Sequence, residues 1–320
     1  MSLKFTHLKT RYCPSHVIKC FLLGIGVFFV PLLLWPQNQA KEPYLIVLGT
    51  VQDGGSPHIA CEKICCKDLS QELRSERSVT SLAILHPRTN SSILFEATTD
   101  IVSQWKELRG TAVSIFLTHA HMGHYSGLIY LGREALGAKN ITVYAMPKMS
   151  AFLNENGPWS QLISLKNIKL LPLEANKTVT PNNHIKVTPF LVPHRDEFSE
   201  TVGYRIEGPE KKILFIPDID KWSKWDNNLI DVLETVDYAF IDATFFDAGE
   251  INYRPIAEIP HPLVKETMIS LSMASKILKN KVYFIHMNHT NPLLNPQSEA
   301  SHWVIKQGFN IARKGQQFKL

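Results

Sequence analysis

The chain has 320 residues, 44% of them apolar, enough to bury a sizeable core and inconsistent with a wholly disordered polypeptide. Its formal charge of +5 comes from 34 basic against 29 acidic residues. Lys4, Lys9, Arg11 and Lys19 lie in the first forty residues, which hold no acidic residue, so the remainder is nearly neutral and offers no basic nucleic-acid surface.

Residues 1–40 have the order of an export signal. A basic stretch is followed by an apolar run from Cys20 to Trp35 and by the polar, small-residue exit Pro36-Gln37-Asn38-Gln39-Ala40. The run is interrupted by Gly24, Gly26 and Pro31 and is shorter than the ~20 residues that cross a bilayer as a helix. The expectation is a cleaved signal peptide, with an N-terminal anchor through residues 20–35 as the rival. Both place residues 41–320 outside the cytoplasm, in the periplasm or beyond. Cleavage would leave Cys61, Cys65 and Cys66 as an odd cluster. Three cysteines cannot pair fully, and adjacent ones make a strained ring, so a structural metal site with a fourth ligand from elsewhere explains them better than a disulfide.

From Tyr44 the pattern alternates short strands with amphipathic helices, as one α/β domain does. Tyr44–Leu48 is an apolar strand ending in the turn-rich segment Asp53-Gly54-Gly55-Ser56-Pro57. Strands follow at Val79–Leu85, Ile93–Phe95 and Val113–Leu117, with a helix predicted over Asp100–Leu108. A second helix is predicted from His124 toward Leu136, stopped by Gly137. Further strands are Ile141–Ala145, Ile168–Leu173, His184–Phe190, Val202–Ile206, Ile213–Ile216, Tyr238–Ile241 and Val282–Ile285. Helices are predicted over Leu229–Leu233 and Val264–Leu278.

Four of these strands end in a potential metal ligand. Val113–Leu117 delivers His119, His121 and His124. The run Phe190-Leu191-Val192-Pro193 ends in His194, Ile213–Pro217 in Asp218, and Val282–Ile285 in His286. One strand-end histidine is commonly a turn or cap residue, but four such ends in series would gather five histidines and an aspartate at one sheet edge. That donor set suits two adjacent ions with a bridging carboxylate.

The series resembles the metallo-β-lactamase superfamily, whose motif is an H-x-H-x-D-H loop followed by a histidine, a bridging aspartate and a final histidine. The resemblance covers residues 44–320 and implies a four-layer αβ/βα sandwich. It implies that His119, His121 and His194 hold a first metal, that His124 and His286 serve a second, and that Asp218 bridges them and orients the catalytic water. Gly123 stands where the family usually has aspartate, so the second site lacks an oxygen ligand. Asp53, Asp220 and His261 are candidate substitutes; each also fits a plain turn or supporting role. The phrases Val47–Gly55, Pro217–Asp220 and Phe284–Pro292 are similar to the branch represented by coenzyme PQQ synthesis protein B. Resemblance to cyclic phosphodiesterases of phosphonate breakdown implies a closed zinc site of Cys61, Cys65, Cys66 and His289, with His58 as a competing nitrogen.

The leading expectation is a metal-dependent hydrolase of an ester, lactone, amide or phosphodiester, with one or two active-site zinc ions, or iron or manganese, and a separate structural zinc. An iron-dependent oxidoreductase or hydroxylase is the alternative, and a non-catalytic metal-binding pathway protein a third. A small-molecule substrate is expected. Trp159, Trp222, Trp225, Phe245 and Phe246 read as core before pocket, and Arg195, Arg205 and Arg254 as solvated surface before anion site.

Overall fold

Residues 42–108, 112–251 and 255–320 are described by the computed structural model of the protein. The export segment expected at residues 1–40 lies outside them, as does Arg254. Among the described residues no helix is long and apolar enough to cross a membrane.

Strands β1 (Tyr44–Gly49), β2 (Ser81–His86), β3 (Ser91–Phe95), β4 (Ala112–Phe116), β5 (Ile141–Ala145) and β6 (Ile168–Pro172) lie side by side in one sheet. The second sheet holds β7 (Val179–Asn182), β8 (Ile185–Leu191), β9 (Val202–Glu207), β10 (Lys212–Ile216), β11 (Tyr238–Asp242), β12 (Val282–Ile285) and β13 (Asn310–Ile311). The final strand, β14 (Gln317–Lys319), returns to the first sheet beside β1.

Alternation along each strand sends one set of side chains between the sheets and the other beneath an outer helical layer. In β10, Ile213 and Phe215 join Phe95, Phe116 and Tyr204 in the central core, while Leu214 and Ile216 pack outward with Leu233 and Met268. In β1, Leu45 and Val47 face the centre; Ile46 and Leu48 face Leu128 and Leu153. The central strands of both sheets are therefore covered on both faces, which is why they read as continuous apolar runs. This is the αβ/βα sandwich of four layers.

Strand direction gathers the chemistry. β2 is antiparallel to both β1 and β3, and β3 is parallel to β4, so β1, β3 and β4 end at one edge. β9 is antiparallel to both β8 and β10, and β10, β11 and β12 are parallel, so these four also share an edge. The two edges are stitched together beyond β1 and β12. There Met287 N donates to Thr50 O at 2.8 Å and Gln52 N donates to Met287 O at 2.9 Å.

The predicted strands are present, with boundaries moved by a residue or two, and the helix expected over Leu229–Leu233 runs Leu229–Glu234, but the three longer predicted helices are shorter or split. The segment after His124 is a single turn, Met122–Tyr125, followed by a 3-10 stretch over Ser126–Leu131. Tertiary hydrogen bonds take the groups a longer helix would need: Ala97 N donates to His124 O and Gly127 N to Ala97 O. A Cβ at Gly127 would stand 1.9 Å from Thr98 O, so only glycine allows this approach. The helix expected over Val264–Leu278 ends at Ser270 and a second starts at Lys276, capped by the Ser275 side chain. Asp100–Leu108 splits into an α turn and a 3-10 turn. Helices Pro147–Glu155, Trp159–Ser164 and Glu299–Lys306 and the short strands β7, β13 and β14 carry patterns too brief to read from sequence.

Truncating Phe215, fully buried between the sheets, to alanine is expected to cost about 3–5 kcal/mol in urea unfolding. Met273→Ala, at a side chain 93% exposed, is expected to stay within about 0.5 kcal/mol of wild type.

Candidate metal centre

β4 carries the chain through Leu117 and Thr118 into the histidine loop. That loop is fixed from the opposite sheet: Ser199 Oγ accepts from Ala120 N at 2.8 Å, and the Tyr204 hydroxyl donates to Leu117 O. The ring atoms His119 Nε2 and His121 Nδ1 stand 2.8 Å apart, and His194 Nε2 is 3.3 Å from His121 Nδ1. Asp218 Oδ2 lies 3.4 Å from His119 Nε2 and 3.3 Å from His194 Nε2. Ligand atoms held tetrahedrally at zinc–nitrogen distances are about 3.3–3.4 Å from one another, so these four atoms have the spacing of one ion's donor set.

A second set meets it at the same carboxylate. Asp53 Oδ1 is 2.9 Å from His124 Nε2 and 3.1 Å from His286 Nε2, and Asp218 Oδ2 is 3.9 Å from His124 Nε2. All six residues expected as ligands thus converge, with Asp218 Oδ2 common to both groups. His286 holds a φ of 67°, a left-handed conformation that non-glycine residues adopt at a cost of about 1–3 kcal/mol, here at the seam between the sheets.

The nitrogen of each imidazole that points away from the centre faces an oxygen. Thr118 Oγ1 is 2.9 Å from His119 Nδ1, Glu197 Oε2 is 3.1 Å from His121 Nε2, and Glu96 Oε1 is 3.4 Å from His124 Nδ1. Asp220 Oδ1 is 3.2 Å from His194 Nδ1, and Thr244 Oγ1 is 3.1 Å from His286 Nδ1. Such outer partners fix ring orientation and leave the inner nitrogen free to ligate. Of the three candidate substitutes for the missing oxygen, Asp53 lies within the centre, whereas Asp220 stands behind His194. His261 stands behind Asp218, with Nδ1 donating to Asp242 Oδ2 at 2.9 Å and 3.2 Å from Asp218 Oδ1.

Charge in this pocket is arranged for cations. Burial opposes ionisation of Asp218, but His194 and His261 outweigh it and hold the carboxyl well below its usual range. At Asp53 burial is likewise outweighed, chiefly by His124. Burial, with His124 beside it, keeps His119 well below the usual imidazole value; burial also lowers His121. At His124 and His261 burial is overcome by carboxylates, Asp53 and Glu96 in the first case, Asp242 and Asp218 in the second, which raises His124 well up and His261 to about 10. His124 supplies the test of fit. It is fully buried, yet neither ring nitrogen makes a well-aligned hydrogen bond, an arrangement that costs about 1–3 kcal/mol for an unsatisfied polar group. A cation among Asp53, His286 and Asp218 would satisfy its Nε2, leaving Nδ1 to Glu96.

The cysteines form a separate cluster with His289, all four ligand atoms lying within 4.8 Å of one another. The Sγ atoms of Cys61 and Cys65 are 4.0 Å apart and those of Cys65 and Cys66 3.9 Å, far beyond a disulfide bond, and all three are free thiols. Burial lowers the His289 pKa to about 4, and His58 and Lys63 add to the effect. His58 stacks on the His289 ring at 4.4 Å and stays outside the cluster, although its backbone N–H donates to Cys66 Sγ.

Trp225 and Phe246 are core residues, Phe245 belongs to a small satellite core, and Trp159 and Trp222 pack at core margins. Arg195 is exposed near Glu197, and Arg205 lies over the Phe190 ring. Sequence reading missed Glu96, Glu197, Thr244 and Asp242 as supports. Asp242 carried a usable signal, because it ends the apolar strand β11 just as Asp218 follows β10.

A strand-edge cluster of histidines sharing one carboxylate on this four-layer sandwich defines a metallo-β-lactamase-fold protein. The family model for the β-lactamase superfamily domain matches residues 91–287, and the chain belongs to that superfamily. Within it, the chain is similar to coenzyme PQQ synthesis protein B from Methylorubrum extorquens, with 23% identity across 85% of this chain and 98% of that protein. The Pseudomonas entomophila protein of the same name is 23% identical across 87% of this chain and 100% of its own length. The crystal structure of Zn(2+)-bound PqqB from Methylobacterium extorquens superposes with a TM-score of 0.71 at 22% identity, covering 87% of this chain and all of that one. A diphosphatase of the PhnP family superposes at 0.60 with 21% identity, covering 87% and 97%. These likenesses establish the shared fold.

Removing the Asp220 carboxylate (Asp220→Ala) frees the His194 ring. Chelator competition is expected to show metal affinity at the histidine centre falling about 10- to 100-fold.

Proposed function

We propose that the chain is a metal-dependent hydrolase that uses metal-activated water on an ester, lactone, amide or phosphodiester of a small molecule. The supporting observation is the Asp218 carboxylate, whose Oδ2 belongs to both donor sets at once. His119, His121, His194 and Asp218 would hold one ion, and His124, His286 and Asp218 would serve the other. Bound divalent ions lower the pKa of water from about 15.7 toward 7, and a pair about 3.5–4 Å apart polarises the substrate and stabilises the attacking and leaving oxygens. Asp218 would be shared by the two sets and would orient the water, with His261, itself held by Asp242, 3.2 Å from its other oxygen. Burial of His119, His124, Asp218 and His286 keeps bulk water from competing for their charge.

Zinc is the proposed metal for the centre, and a separate zinc is proposed at Cys61, Cys65, Cys66 and His289, whose donor set is that of a closed tetrahedral site. A phosphodiester stays among the proposed substrates because one protein of the same fold is a diphosphatase. A second reading, an iron-dependent oxidoreductase, draws on the near full-length similarity to coenzyme PQQ synthesis protein B. Export through residues 1–40 is part of the proposal, as is a small-molecule substrate.

Protein purified without added metal is expected to contain two zinc ions at the histidine centre and one at the cysteines, and to hydrolyse bis(p-nitrophenyl) phosphate. His119→Ala/His121→Ala should abolish turnover. One iron with oxygen consumption, and no hydrolysis, overturns the hydrolase reading. Cys61→Ser should lose one zinc and lower Tm while the histidine-centre ions remain.

A further inference from the structure

Gly123 and Asp53 occupy one place in space. A Cβ built on Gly123 would stand 2.5 Å from Asp53 Cα and 2.7 Å from both Cγ and Oδ1, closer than real side chains approach. A carboxylate at position 123 and the Asp53 carboxylate therefore exclude each other. The loop His119–His124 is thus cut back to glycine where another segment pushes a carboxylate in.

The seam between the sheets aims that carboxylate. Val51 bridges to Val79, just before β2, and to Met287, just after β12, which fixes Gln52 beside Met287 and turns Asp53 toward His286. Its Oδ1 then meets His124 Nε2 and His286 Nε2 at 2.9 and 3.1 Å. The side chain is only 11% exposed, so its charge has little solvent to satisfy it and two imidazoles and the common Asp218 group around it. An oxygen in contact with two buried imidazole nitrogens, in a space of its own, has the position and chemistry of a metal ligand.

We propose that Asp53 is the oxygen ligand of the second metal ion, supplied from the turn after β1, and that Gly123 is the vacancy that admits it. The assignment rests on the two-ion reading of the histidine centre. It makes the second site complete, with Asp53, His124, Asp218 and His286. It also makes that site unlike the first in origin. His119, His121, His194 and Asp218 follow β4, β8 and β10, whereas Asp53 and His286 both lie on the hydrogen-bonded seam. Eight residues beyond Asp53 and three beyond His286 stand Cys61 and His289, so the cysteine cluster clasps the same two segments.

Two variants separate this role from a structural one. Asp53→Asn keeps the size and the hydrogen-bonding capacity but removes the anionic ligand. Gly123→Ala keeps every ligand but forces Asp53 away. Each protein is equilibrated at fixed free zinc, its zinc content is measured by plasma mass spectrometry, and far-UV circular dichroism reports its fold. Both variants are expected to keep a wild-type fold and carry one zinc fewer than wild type, with affinity for that ion at least about 100-fold weaker, since even outer partners of ligands cost 10- to 100-fold. If Asp53→Asn retains every ion at wild-type affinity, Asp53 is no ligand and the proposal fails, while the histidine centre stands. If wild type and His119→Ala/His121→Ala carry the same zinc, the two-ion reading itself falls and the proposal with it. Should Gly123→Ala misfold, the isosteric Asp53→Asn result decides.

Discussion

Asp218 places a carboxylate at the seam of two sheets, where it is almost wholly buried. A buried charge without partners is costly, and much of the surrounding architecture supplies them. His119, His194 and His124 approach one oxygen and His261 the other. His119 and His124 follow β4 in the first sheet, whereas His194 follows β8 in the second and His261 precedes the Val264–Ser270 helix, so the carboxylate is satisfied only when both sheets are assembled in register. A slip in either sheet would turn inward and outward residues over and pull the histidines away from it. The fold and the centre are therefore specified together.

The second requirement is that the histidines remain neutral or share their charge with an anion, as ligands do. Outer contacts meet it. Thr118, Asp220 and Thr244 stand behind three of the rings, and Glu96 and Glu197 stand behind the other two. Glu96 reaches His124 from a left-handed backbone position directly after β3, with a φ of 75°. Like His286, it is a strained residue at the point where a strand end has to redirect a functional side chain.

Much of this was legible in the sequence because strand ends and ligands coincide. His119, His121, His124, His194, Asp218 and His286 each follow an apolar run, and such runs are easy to read. The long helices were misread because periodicity reports which residues are apolar and not where the backbone hydrogen bonds go. After His124 those bonds are taken by Ala97, a residue 27 positions upstream. The role of Asp53 was open for the same reason. In sequence it is the first residue of a glycine-rich turn, and only the bridge from Val51 to Met287 brings it against His286. The absence of a side chain at Gly123 is plain in the sequence, but its cause lies seventy residues away, at Asp53, and arises only in the folded chain.

Anomalous diffraction from crystals grown with zinc tests the shared carboxylate most directly. Two anomalous peaks about 3.5–4 Å apart, one on each side of Asp218, are the predicted result. A single peak held by His119, His121 and His194, with Asp218 facing nothing on the side of His124 and His286, would contradict it.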